Sequence, residues 1–537
     1  MRLVDFLDQS SALFGPVSKG AKFFDLDNQT SFSFQEMFNA SIHLAEFLVE
    51  RGVEPEDVVA TYAPNSVAAY CCIFAISRVG AIWLPLNIRN TASSNLKLIG
   101  LSNAKFLFID EVISAKYPKL LDSFSSGKVA CLGPEKIANF DFSSLKKSTK
   151  KIILDEVYVN KQDLNEVRSQ DLSADKIISL FPTGGTTGDP KLAEWGSSTW
   201  EAIVDIQQQQ MPIIDVPSCY LVAAAMTHAA GVGSFTTILQ GGSIFVMDGF
   251  EPDKILGAIE RHQITSLFLP PTAIYMLLAS SKIRSYDYSS LRYFWYAAAP
   301  MSVEKLKEAI SVFGSVMVQT YGQAEAPMIC TFLSAEDHAE ALAVENTSIL
   351  RSCGKASPGI KLSIFDKQGR QLSPGLKGEV AVKGSLLMKG YHKNPEANKA
   401  IRLNEWQLTG DIGTLDEDGF LSLTDRKGDM IISGGFNVYP GEIEQLIWGM
   451  PTIKDCAVIG LPHEKWGEQV TAIVELKDAS IVPDEDEIIQ LCKKKLGSVK
   501  APKKIIILGE LPRSPVGKVL KKDLRAIFGM KKNDRFN

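Results

Sequence analysis

Phe181-Pro182-Thr183-Gly184-Gly185-Thr186-Thr187-Gly188-Asp189-Pro190-Lys191 is the stretch on which the fold turns. The four residues before it, Ile177-Ile178-Ser179-Leu180, spell a buried strand. A strand entering a Gly/Thr loop that closes on Lys is a phosphate cradle. Glycine lets the backbone come close, so its N–H groups face anionic oxygens. Threonine hydroxyls and the Lys191 cation supply further donors. The Walker form joins Gly directly to Lys, whereas Asp189-Pro190 intervene here. A flexible Gly/Thr linker is the competing reading. The apolar flank and the closing Pro-Lys speak against it.

Around this loop the bulk numbers narrow the choice. A chain of 537 residues has room for about three or four units of domain size. The apolar share of 45% and charged share of 22% are those of an ordinary globular chain. A net charge of −5 recommends neither nucleic acid nor an anionic membrane as partner. The expected ligand of the loop is therefore a small-molecule nucleotide. The eight cysteines show no C-x-x-C spacing and the six histidines are scattered, so no zinc site is expected. Unpaired thiols fit a reducing compartment, and a cytoplasmic protein is expected. Met1–Phe6 lacks a signal-peptide core, and Asp534-Arg535-Phe536-Asn537 carries no peroxisomal or prenylation signal. Residues 58–77 and 216–247 are apolar but broken by Pro, Gly and polar residues. They read as buried strands and helices, not membrane spans.

Along the chain, residues 21–56 read as a strand, a turn and an amphipathic helix with Phe38, Ile42, Leu44, Leu48 and Val49 on its apolar face. Strands are expected at Val58–Tyr62, Ala81–Leu86 and 104–109, with a helix capped by Ser66 between the first two. Residues 140–176 are polar and read as a solvated connection. After the loop the pattern predicts a helix near 196–210. Strands follow at Tyr220–Ala224, Ser243–Met247, Thr265–Leu269, Tyr293–Ala297 and Val316–Gln319, alternating with helices. That alternation makes a second parallel, doubly wound unit with its ligand at the C-terminal strand ends. From about 350, short strands between Gly, Pro and Asp turns predict a small β-barrel or distorted sheet. The last hundred or so residues predict an α+β unit.

Five motifs in this order carry a resemblance: the glycine loop, Tyr321-Gly322-Gln323-Ala324-Glu325, Leu408-Thr409-Gly410-Asp411, Asp425-Arg426-Lys427-Gly428-Asp429 and Gly517-Lys518. Together they resemble the AMP-forming adenylating superfamily of acyl-CoA synthetases, adenylation domains and luciferases, over nearly the whole chain. The look is nearest to the carboxylic acid:CoA ligases. The resemblance implies an α/β protein. A large N-terminal domain (1–425) would hold two doubly wound units plus a small β-barrel, and a small mobile α+β domain (426–537) would follow. It also implies a two-step reaction. A carboxylate attacks ATP to give acyl-AMP and pyrophosphate, and the thiol of CoA then displaces AMP. Such steps need placed donors and cations.

By the same resemblance Thr183, Gly184, Gly185, Thr186, Thr187, Gly188 and Lys191 would hold the β- and γ-phosphates. Ala298, Ala299, Pro300, Gln319, Tyr321, Gly322 and Gln323 would surround the nucleotide, with Tyr321 stacked on adenine. Asp411 would accept from the ribose hydroxyls, assisted by Arg426. Glu325, with Thr183, would hold Mg²⁺, which prefers hard oxygen ligands. Lys518 would bridge carboxylate and α-phosphate in one pose of the small domain. In the other pose Ser433, Gly434, Gly435 and Phe436 would line the pantetheine channel. His228 resembles the residue that gates the acid's carboxylate, the third catalytic candidate beside Lys518 and Glu325. Three departures stand out: Ala324 where the family has Thr, Gly428 at the hinge, and Glu194-Trp195 after the loop. The last has no explanation in sequence alone.

The stretch Met226–Gly231 holds no acid to pair an α-amine, so an acid without an α-ammonium group is expected. Met226, His228, Val232, Ala298, Ala326, Pro327 and Met328 would wall its pocket, which suits an aromatic or medium-chain acyl group. The expected partners are the small acid, ATP and CoA, with no nucleic acid and no integral membrane segment. Homodimerisation stays open. Two alternatives also stay open: transfer of the acyl group to a carrier protein's pantetheine arm, and a non-catalytic binding relative.

Overall fold

The computed structural model describes residues 1–14, 21–118, 128–132, 176–183, 190–513 and 519–529. Gly184, Gly185, Thr186, Thr187, Gly188 and Lys518 lie outside the described residues, as does nearly all of the polar connection 140–176.

Two large sheets carry the N-terminal part. In the first, strands Val58–Tyr62, Ile82–Pro85, Phe106–Asp110, Val129–Leu132 and Ile177–Thr183 run parallel. The first two are buried at every position, as continuous apolar runs covered on both faces must be. The chain then turns back. Ile177–Thr183 pairs antiparallel with Lys191–Gly196, which pairs in turn with Gly390–Tyr391. The sequence reading missed the Lys191–Gly196 strand, passing from the loop straight to the helix, which is Ser197–Gln210. Thr183 and Lys191, which flank the glycine stretch in sequence, face each other as the last pair of this ladder.

The second sheet has nine strands. Lys22–Asp25, Ser243–Val246, Cys219–Val222, Ser266–Leu269, Tyr293–Tyr296 and Met317–Gln323 form its parallel centre. Ala326–Leu333 folds back antiparallel on Met317–Gln323 through a bulge. Gly322 is needed there, because a Cβ on it would lie 2.6 Å from the Met328 backbone nitrogen. One core cluster joins both sheets, taking Val59 and Trp83 from the first and Tyr220 and Trp295 from the second. The helix Val67–Val79 lies in this core, with Ser66 accepting from the Ala69 N–H at its start.

Helix Phe34–Glu50 buries Leu48 of the expected face and half-buries Phe38, Ile42 and Leu44, but most of its buried positions are others. Ser33 and Glu36 form a reciprocal cap that fixes its start. Phe34, Met37, Ala40, Ser41, Ala45 and Leu48 then turn inward, and Val49 is exposed.

Ile360–Phe365, Gly378–Gly384, Arg402–Leu403, Trp406–Leu415 and Leu421–Arg426 form a five-stranded antiparallel sheet. Among the described residues no ladder joins its edge strands Ile360–Phe365 and Leu421–Arg426. Of the two forms expected here, a small barrel or a distorted sheet, the ladders make an open sheet. Beyond it the smaller unit has four strands in one antiparallel run, with Lys504–Ile507 added parallel. Helices Pro440–Trp448, Glu485–Lys500 and Lys521–Gly529 cover it. Lys377 and Glu442, 2.5 Å apart, and the Gly441 N–H donating to Asp425 at 2.8 Å tie this unit to the rest. No helix of the described residues is long and apolar enough to cross a membrane.

Candidate active site

Strand ends bring the expected residues together. Asp411 and Arg426 are direct cross-strand partners, and Arg426 Nε lies 3.1 Å from Asp411 Oδ1. Tyr321 reaches across from the nine-stranded sheet and donates its hydroxyl to Asp411 Oδ2 at 2.6 Å. Burial and the Asp411 carboxylate push the Tyr321 phenol far above its ordinary pKa, so it keeps the proton it donates to Asp411. Gln319, also buried, accepts from the Tyr296 hydroxyl at 3.0 Å. Ala298, Ala299 and Pro300 leave the C-terminal end of the neighbouring strand Tyr293–Tyr296. Ala298 has φ +73° and Met328 φ +69°, a left-handed backbone that costs non-glycine residues energy and gathers at functional sites.

Glu325 is held from several sides. The Tyr391 hydroxyl donates to its Oε1 at 2.6 Å. Its backbone carbonyl accepts from Gln407 Nε2 at 2.7 Å and from the Met388 N–H at 3.0 Å. Lys191 Nζ sits 4.2 Å from the centre of the Tyr391 ring. One tyrosine therefore connects the cation at the end of the glycine stretch with the carboxylate expected to hold the metal. Burial, then the Glu325 charge, raise the Tyr391 pKa, so its proton stays on. Sequence reasoning missed Tyr391, whose only local signal is a Gly-Tyr pair. It also missed Gln407, although that residue directly precedes the Leu408–Asp411 motif.

The unexplained Glu194-Trp195 pair has a physical role. Glu194 lies 2.8 Å from His392 Nδ1, beside Tyr391 on the paired strand. The Trp195 indole N–H donates to the Ala324 carbonyl at 2.7 Å, and its ring stacks on Phe181 at 3.7 Å. Trp195 thus holds the residue before Glu325, where the family's threonine is absent. Trp195→Phe keeps the stack and orphans the Ala324 carbonyl. That should cost about 1–2 kcal/mol, read as a lower urea midpoint with unchanged slope.

His228 precedes helix Ala229–Leu239. Its Nδ1 lies 3.0 Å from the Thr227 hydroxyl and 3.5 Å from Asn87 Nδ2. The Asn87 side-chain oxygen accepts from the Arg89 N–H at 2.8 Å, which orients the amide with its NH₂ toward the ring. Nδ1 is then the acceptor and Nε2 carries the proton. Desolvation of the ring, with Arg89 adding to it, pushes the His228 pKa down, to about 4, although the residue as a whole is exposed, so solvent weakens the effect. An ordinary histidine titrates near ~6.5. The unfolded chain therefore takes this proton first. The stability contribution is complete above about pH 6.5 and is lost as pH falls toward 4. His228→Gln should flatten that acid-side loss, measured as denaturation midpoints at neutral pH and near pH 5.

Met226, Val232, Ala326, Pro327 and Met328 of the expected acyl wall are buried, while Ala298 is exposed. Thr183 Oγ1 and Gln323 Nε2 are buried without a partner among the described residues. Ser433 pairs with Phe436 around Gly434 and Gly435, whose φ values of +58° and +83° make a tight hairpin turn. Phe436 is exposed at its side. Arg513 bridges Val519 and so closes the stretch that contains Lys518.

The family model of AMP-binding enzymes matches residues 16–392, and that of the AMP-binding enzyme C-terminal domain matches 442–518. The medium/long-chain-fatty-acid–CoA ligase FadD8 of Mycobacterium tuberculosis is 36% identical over 67% of this chain and 62% of its own length. The matched stretch thus spans less than two thirds of that protein. The feruloyl-CoA synthase of an Amycolatopsis species is 30% identical, over 93% of this chain and 94% of its own. Among solved structures, ATP-bound MatB from Rhodopseudomonas palustris superposes with a TM-score of 0.85 at 28% identity, covering 98% of this chain and 99% of that one.

Proposed function

The chain belongs to the AMP-binding enzymes, and on that premise we propose that it joins a carboxylic acid to coenzyme A at the expense of ATP. The products are acyl-CoA, AMP and pyrophosphate, formed through an acyl-adenylate. The single observation that carries this reading is the pair of linked contacts at one set of strand ends. Tyr321, Asp411 and Arg426 form a ribose-type acceptor. Lys191, Tyr391 and Glu325 form a phosphate- and metal-type cluster beside it.

In this reading the glycine stretch 184–190 grips the leaving phosphates, and Lys191 adds its charge. Asp411 accepts from the ribose hydroxyls while Arg426 offsets its charge. His228, neutral with its proton on Nε2, donates toward the acid's carboxylate. Lys518 approaches from the smaller unit in the first step, and Ser433–Phe436 faces the thiol in the second. Contacts across the junction include the exposed or half-buried pairs Lys377–Glu442 and Lys427–Glu379, and such pairs contribute little stability each. That supports rotation of the small domain about the Asp425–Asp429 segment.

Mg²⁺ fits this site. The Thr183 hydroxyl is a buried orphan and Glu325 offers a carboxylate, both hard oxygen donors. Among the described residues no three His, Cys, Asp or Glu converge, so a metal here would draw most ligands from phosphate and water. When bound it neutralises phosphate charge. The free, mostly buried thiols support a cytoplasmic location.

The test is a panel of aryl and aliphatic acids, assayed for pyrophosphate and AMP with and without CoA. Acid-dependent pyrophosphate release and CoA-dependent thioester are expected. ADP as the nucleotide product would overturn the reading.

A further inference from the structure

Strand Tyr293–Tyr296 runs from the floor of the second sheet up to Ala297 and Ala298 at the expected acyl pocket. Its side chains alternate. Phe294 and Tyr296 enter one core. Tyr293, Trp295 and Ala297 enter the other, together with Met226, Val232, Ala326 and Met328 of the acyl wall. Trp295 therefore lies on the acyl side, one pleat, or roughly 7 Å, below Ala297.

The ring is pinned. Its indole N–H donates to Thr320 Oγ1 at 2.7 Å, and Phe268 packs edge-on at 5.3 Å. Helix Ala229–Leu239 presses on it from the other side through Gly233, where an added Cβ would lie 2.6 Å from Trp295 Cζ3. The backbone of the helix thus meets the ring directly, with no side-chain space between them.

Beneath Trp295 the environment becomes polar. A cavity of about 10 Å³ is lined by Gln207, Tyr220, Thr236, Tyr293 and Trp295 among others. Gln207 Oε1, Tyr220 Oη and Thr236 Oγ1 are buried there without a partner. The Gln207 amide is oriented by its NH₂, which donates to the Gly233 carbonyl at 3.0 Å. The space suits one water. A methylene chain entering it would be set against three unpaired polar atoms.

Resting on the ligase reading above, we propose that Trp295 is the floor of the acyl pocket and restricts the enzyme to aryl and short-chain acids. The polar compartment below it reinforces the limit. The relatives do not decide this, since their names span fatty and aromatic acids.

The test measures pyrophosphate release by the full-length enzyme with cinnamate, hexanoate, dodecanoate and hexadecanoate. For the wild type, kcat/KM should fall by about 10- to 200-fold between hexanoate and the two long acids. Trp295→Ala should raise the long acids relative to hexanoate at least about tenfold. Trp295→Phe, which keeps the bulk, should retain the cut-off. Equal use of hexanoate and hexadecanoate by the wild type overturns the proposal. So does a folded Trp295→Ala enzyme with an unchanged length ratio. If that variant melts too low to assay, Trp295→Met takes its place and the wild-type series still decides. A flat length profile removes the floor and leaves the ligase. Release from no acid removes the ligase reading, and the floor with it.

Discussion

Lys518→Ala should slow acid-dependent pyrophosphate release by about 10²–10³-fold, the range for losing one charge-stabilising donor at a transition state. The attack of a carboxylate on a phosphorus brings two negatively charged groups together. A compact cation on a long stem that arrives from a second unit can bridge both. The thioester step begins from acyl-AMP, after pyrophosphate has left. In the proposed cycle the small domain has by then turned its Ser433–Phe436 side to the site. Conversion of supplied acyl-AMP and CoA should therefore stay within about tenfold of the wild type, since an interaction absent from a transition state contributes nothing to it. Rapid-quench measurement of the two half-reactions separates the cases. Equal loss in both would sink the two-pose role while leaving the ligase reading in place.

Asp411→Asn should lower kcat/KM for ATP by roughly 10- to 150-fold, the equivalent of about 1.5–3 kcal/mol for hydrogen bonds to a charged group. The geometry explains why an isostere does not suffice. Asp411 is 5% exposed and takes the Tyr321 hydroxyl on one oxygen and Arg426 on the other. The amide loses the charge that offsets Arg426 and one acceptor facing the ribose. Arg426 would be left beside a neutral group. A thermal melt is the necessary companion. The loss should appear as weaker ATP binding by calorimetry in a protein that still melts cooperatively. Unaltered ATP binding would move the ribose elsewhere.

The parallel sheets were legible because strands buried on both faces are continuous apolar runs, as in Val58–Tyr62. The Tyr321–Glu325 and Leu408–Asp411 segments, which the fold brings into contact through Tyr321 and Asp411, stood out because each motif is local. The five-stranded sheet was harder. Turn residues announce short strands but do not say whether their edges meet, and these do not.

The contacts that hold the site were beyond sequence. Tyr391 and Glu325 are 66 positions apart, Gln407 and Glu325 82, and Trp195 and Ala324 129. Nothing within a few residues of Trp195 distinguishes an indole that holds the carbonyl before Glu325 from one that only fills a core. The same holds for Trp295, whose role depends on Gly233 of a helix some sixty residues earlier. By itself the sequence determined the α/β class and singled out the candidate phosphate, ribose and metal residues, because backbone geometry and charge act over short range. The tertiary structure alone decided what orients Glu325 and what floors the acyl pocket. Those depend on side chains that become neighbours only when the two sheets and the antiparallel returns at 191–196 and 326–333 are packed together.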